Sequence, residues 1–362
     1  MSGLWALDAD GHVAEPWSIY TDEVEPEYQD AARQLMASGQ VWAVQEGRGR
    51  GVPTEISAFS ARARAGGADP TQRLPDMDVE QVQATVLFPS AGLHLTTIPD
   101  APLATALCRA YHDWLARYCA AAPDRLFGVA VANLFDVDLA IAELERAVGQ
   151  LGFRGVVMAP EPVLGRRVDD PAYFPFYAAA ERLGVPILFH QATGVRLPTA
   201  GVDRFDNYFL THTISHPFEQ MLASATLLTS EHEVLDRFPS LPFVFLESGC
   251  GWLPYWLERL DEHYEKLPSL VPWLQEKPSA RFRRHCYVSF DPEDALLPQA
   301  VEWAGADRVL FASDYPHWDG IWPNATRTVR ERTDVSDAVK RQLLVDNCAR
   351  LYHLPIPEAA GT

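Results

Sequence analysis

The sequence predicts an α/β fold, a closed (β/α)8 (TIM) barrel with an irregular insertion after its first strand. Three observations lead there. Eight short apolar runs recur along the chain, continuous in the way of parallel strands covered on both faces. Segments with helical spacing separate them. Several runs also end in a residue able to ligate a metal, and barrels of this type gather their chemistry at the C-terminal ends of strands. A doubly wound open sheet is the alternative pattern. Residues 1–362 are read as one domain, although a chain this long also accommodates two smaller ones.

The elements follow in order. Leu4-Trp5-Ala6-Leu7 is the first strand, leading into Asp10-Gly11-His12. Residues 38–76 hold many Gly and Arg and little periodic hydrophobicity, the mark of an insertion or lid. Ala84–Pro89 is the second strand. In the helix Ala101–Ala121, Leu103, Leu107, Tyr111, Trp114 and Leu115 form an apolar stripe. Phe127–Ala132 is strand three, Val137–Leu151 a helix and Arg154–Met158 strand four. Then come the helix Pro171–Leu183, strand five at Pro186–His190, a long helix His216–Phe238 and strand six at Phe243–Glu247. The helix Trp252–Tyr264, strands Cys286–Phe290 and Val309–Ser313, and a closing helix Ser336–Tyr352 complete the alternation.

Composition excludes several classes. Thirty Lys and Arg against 49 Asp and Glu leave a formal charge of -19, which repels phosphate and argues against a nucleic-acid partner. An anionic small molecule would need a local cation or a metal to hold it. The five cysteines, Cys108, Cys119, Cys250, Cys286 and Cys348, are scattered and contain no CxxC, so neither a disulfide framework nor a zinc-finger site is indicated. Met1 to Asp8 carry no basic region and no signal-length apolar run, and no stretch approaches a membrane span. The expectation is a cytoplasmic protein. No G-x-G-x-x-G follows a strand and opens a helix, which disfavours a nicotinamide dehydrogenase.

Asp10 and His12 stand two residues apart at a strand end, so their side chains point the same way. His190 ends strand five, Glu247 strand six, and Asp291 and Asp314 follow strands seven and eight. Alone, each has a plain reading as a turn carboxylate or a hydrogen-bonded histidine. Together, at one end of successive strands, Asp10, His12, His190 and Asp314 form a candidate site for one divalent metal. Nitrogen plus carboxylate oxygen suits Zn²⁺ first, with Mn²⁺ or Fe²⁺ as alternatives, and is too nitrogen-rich for Ca²⁺.

The chain resembles the amidohydrolase superfamily, in the branch that includes aminocarboxymuconate-semialdehyde and resorcylate decarboxylases. The resemblance runs from Asp8-Ala-Asp-Gly-His-Val-Ala-Glu-Pro16 to Asp346-Asn-Cys-Ala-Arg-Leu-Tyr352, through Arg73–Asp78, Asp169–Tyr173, Arg237-Phe-Pro239, Gly251–Asp261 and Ala312-Ser-Asp-Tyr-Pro316. It implies a barrel, and a metal held at Asp10, where the branch carries His or Glu, and at His12, His190 and Asp314. Several decarboxylases of the branch place a histidine on strand six, where this chain has Glu247-Ser-Gly-Cys-Gly-Trp252. A carboxylate there serves as a base or an extra ligand but cannot replace a cationic imidazole. His216, in Ser215-His-Pro-Phe-Glu219, is the candidate to fill that place, with His212 behind it.

Further candidates are Glu15, to orient His12 by accepting its second N–H, and Trp252, His317 and Trp318 as substrate-pocket walls. Arg48, Arg50, Arg64 and Arg73 are candidate carboxylate binders; the remaining histidines read as surface or structural. The expected activity is metal-dependent non-oxidative decarboxylation of a small cyclic or aromatic acid, with Asp314, Glu247 and His216 as catalytic groups. Hydrolysis of an amide, lactone or C–C bond by metal-activated water uses the same ligands, and a non-catalytic binding barrel is the third reading. The aromatic segment 252–264 is a candidate face for a homo-oligomer.

Overall fold

The computed structural model describes residues 4–38, 65–190, 208–317 and 320–356. Among the described residues nine strand segments, all paired in parallel, surround the core: β1 (Ala6–His12), β2 (Val82–Phe88), β3 (Leu126–Gly128), β4 (Ala130–Val131), β5 (Val156–Met158), β6 (Ile187–Phe189), β7 (Phe243–Phe245), β8 (Cys286–Phe290) and β9 (Val309–Phe311). The ladders run β1-β2-β3 and β4 through β9 in sequence order. Apart from Gln83, every strand residue is buried, as continuous apolar runs require.

The predicted third strand is therefore two segments split at Val129. Its amide donates to Leu87 O at 3.2 Å, whereas the next amide, of Ala130, donates to Gly155 O at 2.9 Å. The strand changes ladders at that residue. His112, on the helix Ala101–Cys119, braces the break: Nε2 accepts from Val131 N–H at 2.9 Å, and Nδ1 faces Glu143 Oε1 at 2.6 Å.

The barrel closes between β9 and β1 without a regular ladder. Asp314 N–H donates to Asp10 O at 3.0 Å and His12 N–H to Tyr315 O at 2.7 Å. Inside the closure, Asp8 accepts from Ser313 N–H (2.9 Å), Ser313 Oγ (2.7 Å) and Thr85 Oγ1 (2.9 Å). A buried carboxylate thus replaces the missing ladder bonds, and burial pushes its pKa up despite those donors.

Several elements differ from the sequence expectation. β1 continues through His12, so Asp10 and His12 lie in the strand itself. Residues 39–64 of the expected insertion lie outside the described residues, but its C-terminal part is ordered: a helix spans Pro70–Glu80. Asp69 caps it by accepting from Thr71 N–H at 2.8 Å, and Pro70 starts it, a signal masked by the internal Pro75. The long helix is Tyr208–Leu228, with a separate turn at Val234–Arg237. The closing helix runs as Asp337–Arg341, a π-helical segment Gln342–Asp346 and Asn347–Tyr352. Among the described residues no helix is long and apolar enough to cross a membrane.

Candidate metal centre and active-site cleft

Asp10 and His12 occupy alternate positions of β1 and point into the barrel, whereas a register shift between Asp8 and Gly11 turns Asp8 to the other face, beside Gly11, Thr85 and Arg73. Asp8 ties the closure; Asp10 and His12 stand above it at the mouth. Gly11 between them is required by crowding: a Cβ there would lie 2.5 Å from Thr85 Oγ1, 2.7 Å from Arg73 Nη2 and 2.8 Å from Asp8 Oδ2. Arg73 is buried, and its Nη1 donates to His12 O at 2.6 Å. It is committed to the β1 backbone and is not the carboxylate binder proposed above.

His12 Nδ1 lies 2.8 Å from Pro89 O. Only a ring N–H can make that bond, so Nε2 carries the lone pair and faces the barrel axis. Glu15 therefore does not orient His12. It accepts from Ser90 N–H at 3.1 Å, from Tyr20 Oη at 3.0 Å and from Gly92 N–H, and so fixes the loop that delivers the Pro89 carbonyl.

Around His12 Nε2 the predicted ligands converge. Asp10 Oδ1 is 3.4 Å away, Asp314 Oδ1 3.5 Å and Glu247 Oε2 3.9 Å. His190 Nε2 lies 3.7 Å from Asp10 Oδ2 and 2.9 Å from Glu247 Oε2. A metal–ligand distance of about 2.1 Å gives a tetrahedral edge of about 3.4 Å and an octahedral edge of about 3.0 Å. The observed separations of 2.9–3.9 Å are of this order, and the donor atoms fall in two groups that share His12: Asp10, His12 and His190, and His12, Glu247, Asp314 and His317. Asp10 Oδ1 and His12 Nε2 are also buried without hydrogen-bond partners, a costly arrangement that a shared cation relieves. These residues fit a divalent metal.

The electrostatics agree. Burial pushes Asp10 well up, with His190 opposing and Glu247 and Asp314 adding to the rise. Burial also pushes His12 well down, reinforced by His317 and His190, so it is a neutral donor at neutral pH. Burial works against ionised Glu247, but His190, with His216 and His12, holds it well below the usual carboxylate range. Glu247 and Asp314 both have left-handed backbone, with φ +50° and +53°. Non-glycine residues there are strained, and such strain collects at functional sites.

A cleft of about 470 Å³ opens beside the cluster, lined by His216, Glu247, Ser248, Asp291, Asp294 and Asp314 among others. His216 faces it, on the helix Tyr208–Leu228. His317 stacks on His12, with ring centroids 4.0 Å apart, and its Nδ1 lies 2.7 Å from Asp314 Oδ1. Its Nε2 lies 2.9 Å from Ser90 Oγ. This string has the connectivity of a nucleophilic triad, but Ser90 Oγ–H is directed at Val13 O, 2.7 Å away, so Ser90 acts as an acceptor toward the ring. Trp252 does not line the cleft; it packs edge-on against Phe245 at 6.0 Å. Trp318, Arg48, Arg50, Arg64 and the His212 side chain lie outside the described residues.

Sequence reasoning missed Asp8, Thr85, Ser313 and Pro89. The register shift between Asp8 and Gly11 takes Asp8 off the face that carries Asp10 and His12, so the strand period does not point to it. The others come from strands distant in sequence and carry no local signal.

Comparison with known proteins gives a consistent picture. The amidohydrolase family matches residues 7–354. A gamma-resorcylate decarboxylase of Rhizobium sp. (strain MTP-10005) is 30% identical over 297 residues, covering 78% of this chain and 86% of the relative. A 2-keto-4-carboxy-3-hexenedioate hydratase of Sphingobium sp. (strain NBRC 103272 / SYK-6) is 27% identical over 298 residues, covering 78% and 79%. A dihydroxybenzoic acid decarboxylase of Polaromonas sp. JS666, solved with bound manganese and the inhibitor 2-nitroresorcinol, shares the fold. Its TM-score is 0.71, with 21% identity over 97% of each chain.

Proposed function

The chain belongs to the amidohydrolase family, and from that premise we propose that it is a metal-dependent carboxy-lyase acting on a small aromatic or cyclic acid. Asp10, His12, His190 and Asp314 would hold one divalent ion, with Glu247 as a fifth donor. When bound, the ion supplies positive charge for the substrate carboxylate and a neighbouring oxygen, in a cleft whose described walls are otherwise acidic. Zinc is the ion expected from the donor types. Manganese is favoured by the three carboxylates in the set and by its presence in the Polaromonas structure.

The chain's own groups account for the proton. Asp314 stands between the ligand cluster and the cleft, and His317 Nδ1 is within hydrogen-bond distance of it. Asp314 delivers a proton to the ring carbon bearing the carboxylate. The carbon–carboxylate bond then breaks, its electron pair restores the aromatic ring, and carbon dioxide leaves. His317 keeps Asp314 oriented, and His216 lines the same cleft. Asp314, shared by the ligand cluster and the cleft, is the observation that carries this reading.

Metal-free protein reloaded with Zn²⁺, Mn²⁺ or Fe²⁺ and offered a panel of hydroxybenzoates tests it. Carbon dioxide release with one deuterium from heavy water at the vacated carbon is expected. The second reading, hydration or hydrolysis, is favoured by Glu247, a carboxylate where the resemblance implies an imidazole in several decarboxylases of the branch, and by the hydratase relative. Oxygen-18 from water in the product, with no carbon dioxide, would replace the first reading with the second.

A further inference from the structure

The ladder between β6 and β7 ends at the pair Phe189–Phe245, one residue before the predicted ligand His190. Beyond it, Leu246 N–H still donates to Phe189 O at 3.2 Å. The chain then turns: Glu247 takes its left-handed conformation and gives its N–H to Ser289 Oγ at 3.2 Å. Leu246 O, on a fully buried residue, leaves the ladder with only a long local donor, Ser248 Oγ at 3.4 Å.

Gln220 provides a closer one. This side chain is 0% exposed, and its Nε2 donates to Phe189 O at 3.0 Å and to Leu246 O at 3.1 Å. The amide orientation is forced, because Oε1 turned the other way would meet two acceptors. Both carbonyls belong to the residue immediately before a metal-facing side chain, His190 in one case and Glu247 in the other. One nitrogen therefore sets the spacing of the two strand ends. Gln220 also lies one helical turn after His216, on the same face of the helix Tyr208–Leu228, so the same clasp registers His216 against the cleft.

We propose that Gln220 is a positioning residue for the metal centre, its amide holding the strand ends that carry His190 and Glu247 at the separation one ion needs. The inference rests on the metal reading of the site. Asn347 supplies a matched comparison. It is equally buried, and its Nδ2 donates to Ala306 O and Val309 O, both at 2.7 Å, at the opposite end of the barrel where β9 begins.

Gln220→Met keeps the length and removes both donors; Asn347→Leu removes the distant clasp. Thermal unfolding of the metal-free variants and Mn²⁺ titration by calorimetry and electron paramagnetic resonance separate the roles. Both variants should unfold at lower temperature than the parent. Only Gln220→Met should weaken Mn²⁺ binding, by about 10–100-fold, and alter the bound-ion line shape. Gln220→Glu, whose protonated form offers one donor, should fall between parent and Gln220→Met, and it reads the effect if Gln220→Met does not fold. An unchanged Mn²⁺ Kd in either Gln220 variant, or an equal loss in Asn347→Leu, would overturn the proposal. Failure of the parent to bind Mn²⁺ or Zn²⁺ would instead overturn the metal reading beneath it.

Discussion

His190 Nε2 lies 2.9 Å from Glu247 Oε2, so the carboxylate at the end of β7 is turned into the ligand cluster. Its side chain is only 17% exposed, although it borders the cleft. A strand-six histidine could hold an anionic substrate; a carboxylate in this position instead adds negative charge around the cation. Glu247→Gln preserves shape and removes that charge. Mn²⁺ affinity should fall about 10–100-fold, measured by titration of the metal-free protein. Unchanged affinity with a kcat loss of about 10²–10⁴ would assign Glu247 as a general base.

His12 is the hub of the cluster, and its tautomer is set by Pro89 O. Metal should stabilise the parent by about 4 kcal/mol at a free concentration of 1,000 Kd, read as a higher Tm. His12→Ala should abolish both that response and turnover. A Tm rise of parental size in His12→Ala would place the metal elsewhere.

Asp314 is assigned the proton, and Asp314→Asn retains its volume without an acid. Loss of kcat by at least about 10²-fold is expected if the group transfers a proton, with KM less affected. Steady-state kinetics on the best substrate of the panel decide it.

Gly11→Ala places a Cβ within 2.8 Å of three polar atoms, two of them in the Asp8 hydrogen-bond network. Those neighbours cannot retreat without breaking the barrel closure. A loss of about 1–3 kcal/mol in denaturant unfolding is expected, together with weaker metal binding. Retention of parental stability would show that the closure relaxes more easily than its hydrogen bonds suggest.

His94 is buried, and burial lowers its pKa from 6.5 to about 4. The unfolded chain therefore takes up this proton first as pH falls. The contribution of neutral His94 is complete above about pH 6.5 and is lost progressively toward pH 4, to a total of up to about 3 kcal/mol. Whatever its offset at pH 8, His94→Leu should lose less stability than the parent between pH 7 and 4.5. Parallel pH profiles for the two proteins would rule out this source.

The barrel was legible because buried parallel strands leave continuous apolar runs, as in Val309-Leu-Phe and Ile187-Leu-Phe, and helices leave a different period. Asp10, His12, His190 and Asp314 were legible because each sits at a strand end. The helix Pro70–Glu80 was not, since the internal Pro75, after an Arg- and Gly-rich stretch, masked its Asp69-Pro70 start. Nor was the retirement of Trp252 to Phe245, of Arg73 to the His12 carbonyl or of Glu15 to the Ser90–Gly92 loop. Each is a choice among partners, and residue type does not name the partner.

Local pattern determined, without coordinates, an α/β barrel and the residues that reach its mouth, because strand period and strand termini are properties of short segments; the amidohydrolase type came from family resemblance. Tertiary structure alone decided how those residues meet: Glu247 against His190, His317 stacked on His12, Asp8 closing β1 onto Ser313, and Gln220 clasping two carbonyls. These contacts join segments tens to hundreds of residues apart. Their geometry follows from closing the barrel, a constraint on the whole chain that no single segment carries.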